Sequence, residues 1–142
     1  FFENSILIHG GGWKKMEKIK VSNEIFKRKL NKSLKIKHII NYYGLIEQTG
    51  SIFFECSKCD CFTPSEYSEV LIRDKNFKAL PKNKKGFIQL LSILPRSYPG
   101  HSILTEDIGQ LVNKNCKFCK ITKKFKVYGR AEQSEIRGCS DV

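Results

Sequence analysis

The alternation of apolar and polar positions predicts a strand-helix-strand unit in the first third of the chain. Residues 5–9 form a short apolar run that predicts a buried strand. Residues 22–34 place Phe26 and Leu30 on one face at four-residue spacing, with lysines opposite, which predicts an amphipathic helix. An apolar, β-branched run then leads into a second strand over residues 36–43. Together these elements predict a β-α-β unit with a right-handed crossover.

After residue 50 the pattern changes to short apolar runs that alternate with polar turn sequences, such as residues 81–86. The predicted strands of this region are 51–55, 67–73, 87–94, 102–104 and 125–128. Runs of this length and spacing predict a small antiparallel sheet or a distorted barrel. We therefore predict an α/β fold in which the β-α-β unit is the edge of a larger parallel sheet, followed by this smaller β-rich part.

The sequence predicts that the chain is organised in three segments. Residues 1–49 form the α/β part, and residues 50–128 form the β-rich subdomain. Residues 129–142 form a polar, hinge-like C-terminal segment in which arginines stand next to glycines. The chain contains no internal repeat and no low-complexity linker that would suggest another boundary.

Length and composition indicate one globular domain with a moderate core, because 40% of the 142 residues are hydrophobic and 28% are charged. No apolar run approaches the ~20 residues that a membrane-spanning helix needs. The opening Phe-Phe-Glu-Asn lacks a methionine, a basic segment and an apolar segment, so it does not predict a signal peptide. It indicates a chain that begins inside a longer protein, and we expect a cytoplasmic location.

The charge of the chain raises the question of a nucleic-acid partner. Lysines and arginines number 26 against 14 acidic residues, which gives a formal net charge of +12. The lysines are spread over the predicted loops and helix rather than clustered. A solvated basic surface is therefore favoured over a specific polyanion site, and we do not expect nucleic acid as a partner.

Six cysteines without a secretory signal indicate reduced thiols or metal ligands rather than a disulfide framework. Five of them make two C-x₂-C pairs with one extra thiol: Cys56, Cys59, Cys61, Cys116 and Cys119. Two such pairs are typical of a zinc ribbon, with either Cys59 or Cys61 as the second ligand. Four thiolates leave no open position, so such a zinc would close the small sheet and take no part in catalysis. Unliganded thiols are the alternative, and the sequence leaves both open.

Candidate nucleotide-binding segments follow the two strands of the β-α-β unit. Gly10, Gly11 and Gly12 come after the first strand, and Gly44 and Glu47 come after the second. The carboxyl ends of parallel strands share one edge of a sheet, where ligands bind. Glycine lets the backbone approach a ligand closely, and a carboxylate three residues later can hold Mg²⁺.

Two further candidates lie in the β-rich part. Asp107 follows a predicted strand, a position from which a carboxylate can accept hydrogen bonds from ribose hydroxyls. Arg130 follows Gly129 near the C-terminus, and its guanidinium is suited to bind phosphate or ribose oxygens.

These segments resemble, in the same order, three motifs of the adenylate-forming enzymes. Asn41-x-Tyr43-Gly44-x-x-Glu47 is similar to their N-x-Y-G-x-T-E motif, and Thr105-Glu106-Asp107 to their T-G-D motif. Gly129-Arg130-x-Glu132, with the later Arg137-Gly138, resembles their hinge motif G-R-x-D-x-x-K-x-R-G. Residues 9–15, 43–48 and 137–141 more specifically resemble the acyl-protein synthetases of the bacterial fatty-acid reductase complex (LuxE type).

The resemblance implies a partial adenylate-forming fold and a role for each matched residue. Gly10, Gly11, Gly12, Tyr43 and Gly44 would frame the adenine of ATP. Glu47 would hold Mg²⁺ beside the α-phosphate with Gln48 nearby, Asp107 would bind the ribose, and Arg130 would brace ribose or phosphate. Glu132 would belong to the hinge, and Cys139 would take the acyl group as a thioester.

The implied activity is ATP-dependent activation of a fatty acid or other carboxylate, followed by acyl transfer to a cysteine thiol. The implied protein partner is an acyl acceptor or a reductase. Ile46 stands where the family motif has threonine, and Glu106 stands where it has glycine. The upstream phosphate loop and the late catalytic lysine of the superfamily have no match, which predicts a C-terminal fragment that is inactive alone.

Two other interpretations compete with this one. A basic zinc-ribbon module would use the net charge and Phe53, Phe54 and Phe118 to stack nucleic-acid bases, with affinity that falls steeply with salt. A fragment of a phenylacetate-type CoA ligase would share the adenylating motifs, but the chain has no identifiable CoA-binding segment and does have Cys139. The order of the three motifs favours the acyl-protein synthetase interpretation.

Overall fold

The computed structural model describes residues 2, 4–96, 98–113 and 115–132. These residues divide into two compact units, one up to Asn41 and one from Tyr42 onward. Among the described residues, no helix is both long enough and apolar enough to cross a membrane.

The first unit contains the predicted strand, the helix and the first part of the second strand. β1 (Ile6–Gly10) precedes a short 3-10 helix (Lys14–Ile19), α1 (Asn23–Leu34) and β2 (His38–Tyr43). The Ser22 hydroxyl accepts a hydrogen bond from the amide of Ile25, so Ser22 is the N-cap of α1. Lys35 ends the helix in the left-handed conformation, and its amide donates to the carbonyl of Asn31. The prediction of the helix is confirmed at both ends.

Aromatic contacts connect β1 with α1. The rings of His9 and Trp13 meet Phe26 edge-on, with ring centroids 5.0 and 5.9 Å away. β1 is otherwise open to solvent, since Ile6 and Ile8 are 62% and 53% exposed. The prediction of a buried first strand is therefore wrong as to burial, because helix packing covers only the face that carries His9.

The second unit is built on antiparallel strand pairs. Its strands after β2 are β3 (Phe53–Glu55), β4 (Phe62–Thr63), β5 (Ser68–Arg73), β6 (Lys85–Ser92), β7 (Ser102–Val112) and β8 (Lys124–Arg130). Hydrogen-bonded neighbours follow the order β1-β2-β3-β4-β8-β7-β6-β5. This mixed α/β open sheet, mostly strands with few helices, confirms the predicted fold class.

Three details of the strand prediction are wrong. β7 continues to Val112 instead of ending at residue 104, so Asp107 lies inside a strand and not after one. Likewise β8 includes Gly129 and Arg130, which were expected to begin a hinge-like segment. β4 was missed because two residues are too short to show an alternating pattern.

The core of the second unit lies on one face of the sheet. Its buried members are Phe53, Phe62, Val70, Ile72, Ile88, Leu90, Leu111 and Phe125. Tyr43 at the end of β2 packs into this core, with its ring centroid 6.0 to 6.2 Å from those of Phe53, Phe62 and Phe125. Aromatic packing therefore fixes the ring of a predicted site residue.

Candidate functional site

Tyr43 connects the hydrophobic core to a carboxylate of the predicted site. Its phenolic hydroxyl donates a hydrogen bond of 2.7 Å to Oδ2 of Asp107. Burial, and then the negative charge of Asp107, raise the pKa of Tyr43 well above the usual tyrosine value. The phenol therefore remains a hydrogen-bond donor at any physiological pH and holds the carboxylate in one orientation.

The backbone at Asp107 is held by Thr105, which is itself buried. The Thr105 hydroxyl accepts a hydrogen bond from the amide of Asp107 at 3.1 Å and donates one to the carbonyl of Ile88 at 2.9 Å. Thr105 begins the segment that resembles the T-G-D motif, but the sequence predicted no role for it. The hydroxyl connects β6 to β7 and fixes the segment that carries the carboxylate.

Arg130 lies beside Asp107 on the neighbouring strand. The two residues are register partners between β7 and β8. The guanidinium of Arg130 forms an ion pair with Glu106 at 3.6 Å, and the two side chains are 46% and 64% exposed. An exposed pair contributes little to stability. The ion pair instead positions Arg130, because it keeps the guanidinium near Glu106 at the C-terminal end of β8.

Glu47 lies in a one-turn 3-10 helix (Ile46–Gln48) that follows β2, and it is exposed. The turn is held from inside by Gln48, whose side-chain amide donates to the carbonyl of Gly100 at 2.8 Å. A Cβ on Gly100 would lie 2.4 Å from the carbonyl oxygen of Glu47, so only glycine permits this approach. The turn is thus fixed while it presents the Glu47 carboxylate to solvent.

Gln48 is buried inside the protein, whereas a side chain that contacts a ligand usually faces the binding site. It is fully buried, and its side-chain amide also lies 3.4 Å from the carbonyl of Leu90. Its Oε1 atom is buried without a hydrogen-bond partner among the described residues. The side chain therefore holds the Glu47 turn in place, and the predicted proximity of Gln48 to ATP stays a prediction.

The structure brings some predicted residues together and leaves others apart. Tyr43 and Asp107 are in direct contact, Arg130 pairs with Asp107 in register, and Gly44 follows Tyr43 directly. Gly10, Gly11 and Gly12 belong to the other unit, where Gly11 has a φ of +83° and open space at its Cβ position. Cys139, together with the motif residues from 133 onward, lies outside the described residues.

A second cluster is formed by cysteines. The sulfur atoms of four residues all lie within 4.8 Å of one another: Cys56, Cys59, Cys116 and Cys119. Cys61 is outside this set, and its thiol instead donates to the carbonyl of Cys59 at 3.1 Å. Of the two predicted choices for the second thiol of the first pair, the cluster contains Cys59.

The electrostatic environment differs among the four thiols. Burial raises the pKa of Cys59 far above its usual range. Hydrogen bonds from the amides of Cys119 and Phe118 lower the pKa of Cys116 to about 6. The peptide backbone of the second loop thus favours a thiolate at the cluster.

Comparison with protein families settles the family of this chain. The family model described as "Acyl-protein synthetase, LuxE" matches residues 2–142. The chain belongs to the LuxE acyl-protein synthetase family. No curated protein matches this LuxE chain in sequence.

Solved structures similar to the LuxE chain are adenylate-forming enzymes. An open conformation of 2-hydroxyisobutyryl-CoA ligase, in complex with 2-HIB-AMP and CoA, matches 90% of the chain and 28% of its own length, with 12% identity and a TM-score of 0.71. MatB from Rhodopseudomonas palustris matches 92% of the chain and 27% of its own, with 13% identity and a TM-score of 0.59. MbtA from Mycobacterium smegmatis matches 88% and 25%, with 15% identity and a TM-score of 0.62.

These likenesses establish the fold of the LuxE chain as part of the adenylate-forming fold, as the sequence predicted. The chain spans only about a quarter of the length of these three structures. The activity, substrates and partners of the whole protein are accordingly proposals.

The Tyr43 hydrogen bond predicts a pH dependence for the stability of this LuxE chain. The raised pKa means that the folded chain keeps the phenol proton at a pH where the unfolded chain has lost it. The stabilisation is complete below pH ~10 and falls as pH rises further, by about 1.4 kcal/mol per pH unit. We expect urea unfolding between pH 9 and 12 to show a constant stability difference between the wild type and Tyr43→Phe up to pH ~10 and this slope above it. An equal pH dependence in both proteins would contradict the assignment.

Proposed function

We propose that this LuxE chain carries part of the nucleotide site of an ATP-dependent ligase that activates a fatty acid as acyl-adenylate and transfers it to a cysteine thiol. The observation that carries the proposal is the Asp107 carboxylate, held in one orientation by the Tyr43 hydroxyl. The resemblance of Thr105-Glu106-Asp107 to the T-G-D motif of adenylate-forming enzymes would make Asp107 the ribose-binding acid. Family membership and fold supply the context for this assignment.

The proposed ribose contact uses the oxygen that Tyr43 leaves available. Oδ2 of Asp107 accepts the phenolic hydrogen bond, whereas Oδ1 has no protein partner among the described residues. A carboxylate is a strong acceptor for the hydroxyl groups of a ribose. Arg130, on the adjacent strand, would brace an oxygen of the ribose or phosphate.

Glu47 is the proposed ligand of Mg²⁺. Its carboxylate is exposed on a fixed turn, and Mg²⁺ is usually bound through one or two carboxylates together with substrate phosphates. When bound, Mg²⁺ neutralises charge on the ATP phosphates. Gly44, with the backbone of Tyr43, would frame the adenine, and the buried side chain of Gln48 would hold the turn that carries Glu47.

The proposed reaction has two steps that share one intermediate. A carboxylate oxygen of the fatty acid attacks the α-phosphorus of ATP, which forms acyl-adenylate and releases pyrophosphate. The Cys139 thiolate then attacks the acyl carbon, which forms a thioester and releases AMP. An acyl-acceptor or reductase protein would receive the acyl group from the thioester.

The two steps can be separated in the complete enzyme that contains this chain. We expect ATP–pyrophosphate exchange that depends on a fatty acid, and a covalent label from radioactive fatty acid and ATP that neutral hydroxylamine removes. Cys139→Ser should keep the exchange and lose the label, because the thiol acts only after adenylate formation. Exchange that requires no carboxylate would contradict the first step. A label that persists on Cys139→Ser would contradict the second.

A further inference from the structure

The geometry points to a structural zinc ion bound by the thiolates of Cys56, Cys59, Cys116 and Cys119, a site that is separate from the proposed ligase chemistry. The four sulfur atoms come from two loops that are 60 residues apart in sequence. Zinc is the metal most typical of four cysteine ligands, since soft thiolates select it and four thiolates make a closed tetrahedral site.

The separations of the sulfur atoms fit a tetrahedron around one ion. Zn–S bonds of about 2.3 Å place the sulfurs of a regular tetrahedron roughly 3.8 Å apart. The sulfurs of Cys56 and Cys116 are 3.9 Å apart, and all four lie within 4.8 Å of one another. A disulfide would require about 2.05 Å, so these distances correspond to ligands of a common ion rather than to a bonded pair.

The two loops also have the same backbone conformation. In the first, the amide of Asp60 donates to the carbonyl of Cys56 at 2.9 Å, and Asp60 has a φ of +52°. In the second, the amide of Lys120 donates to the carbonyl of Cys116 at 3.0 Å, and Lys120 has a φ of +53°. In each turn the hydrogen bond joins the first cysteine to the residue four positions later, which directly follows the second cysteine. Two loops of unrelated flanking sequence thus hold their cysteine pairs in one arrangement.

Both loops are hairpin connections at neighbouring places in the sheet. The first joins β3 to β4, and the second joins β7 to β8. β4 and β8 are adjacent, but Phe62 and Phe125 are their only register pair among the described residues. A zinc ion between the loops would therefore hold the two hairpins together at the junction of β4 and β8, where strand pairing is limited to this one pair. The zinc ion would close a loop of about 60 residues. Closing a loop of this length costs the unfolded chain considerable conformational entropy.

Cys61 provides a matched control within the same loop. It is fully buried like Cys59, but its thiol is directed to the carbonyl of Cys59 and does not belong to the sulfur cluster. Serine at this position can make the same hydrogen bond. Cys119 is the better ligand to remove, since the second loop has no spare cysteine that could replace it.

The test is metal analysis of the full chain, purified under reducing conditions, with zinc and iron measured by mass spectrometry. We expect about one zinc per chain in the wild type and in Cys61→Ser, and loss of most of it in Cys119→Ser. Cys119→His should retain zinc, because Cys₃His is also a structural zinc set. This rescue separates a ligand role from a general failure to fold. Co²⁺ in place of zinc should give the intense visible bands of a tetrahedral thiolate site.

Several results would overturn the proposal. The wild type could contain no metal or contain iron, or Cys61→Ser and Cys119→Ser could lose zinc equally. Cys119→His could fail to hold zinc, or the Co²⁺ form could show the weak bands of a six-coordinate ion. Because the test reads metal content and not turnover, its failure would leave the proposed ligase activity unaffected.

Discussion

Replacing Glu47 by glutamine in the complete enzyme is expected to lower carboxylate-dependent ATP–pyrophosphate exchange by about a thousandfold, or about 4 kcal/mol of transition-state stabilisation. The reason is that glutamine has nearly the same shape but lacks the negative charge that we propose binds Mg²⁺. The carboxylate is exposed on a turn that Gln48 and Gly100 hold in place, so the substitution should leave the fold unchanged. The measurement is exchange at saturating ATP over a range of Mg²⁺ concentrations.

The matched control for this prediction is Ile46→Ala. Ile46 is the neighbouring residue on the same turn and is 89% exposed, so its loss should not affect exchange or stability. If Glu47→Gln kept full ATP–pyrophosphate exchange, Glu47 would not be part of the proposed site. A loss of exchange in Ile46→Ala as large as that in Glu47→Gln would attribute the effect to the turn and not to the carboxylate.

Asp107→Asn is expected to reduce the same exchange by about a hundredfold, because a hydrogen bond to a charged acceptor is worth about 1.5–3 kcal/mol. Asparagine can still accept the Tyr43 hydrogen bond, so the arrangement around the side chain should persist. Glu106→Gln is the control. Glu106 is the adjacent acid on β7 and pairs with Arg130 at the surface, so its neutralisation should cost much less. Equal losses in the two variants would indicate a general charge effect.

The local elements were the most predictable part of the fold. α1 was predictable because its apolar positions recur at helical spacing and Ser22 supplies a cap that needs no tertiary contact. β7 was predicted too short because Glu106 and Asp107 interrupt the apolar pattern. In the structure Asp107 pairs with Arg130 of β8, because strand pairing depends on the backbone, and the Glu106 side chain is exposed to solvent.

The contacts that build the site were beyond sequence reasoning. Tyr43 and Asp107 are 64 residues apart, and no spacing rule pairs them. The resemblance placed both near the nucleotide but did not reveal that one orients the other. The burial of Gln48 was also hidden, because a polar side chain between two exposed-looking positions gives no sign that its partners are the carbonyls of Gly100 and Leu90.

The cysteine cluster falls between these two cases. The C-x₂-C spacing predicted which loops would provide thiols, since a tight turn places residues i and i+3 side by side. The spacing did not decide between Cys59 and Cys61. That choice depends on where the turn ends. The amide of Cys56 donates to the carbonyl of Cys61, so Cys61 already lies beyond the turn that holds Cys56 and Cys59.

The proposed role of Asp107, oriented by Tyr43, is to bind the ribose of an acyl-adenylate. Its most direct test is the equilibrium affinity of the complete enzyme for a non-hydrolysable acyl-adenylate analogue and for its 2′,3′-dideoxy counterpart, in wild type and Asp107→Asn. We predict that removing the hydroxyl groups weakens binding to the wild type about a hundredfold and to Asp107→Asn only a few-fold. An equal loss of affinity in both proteins would contradict the claim.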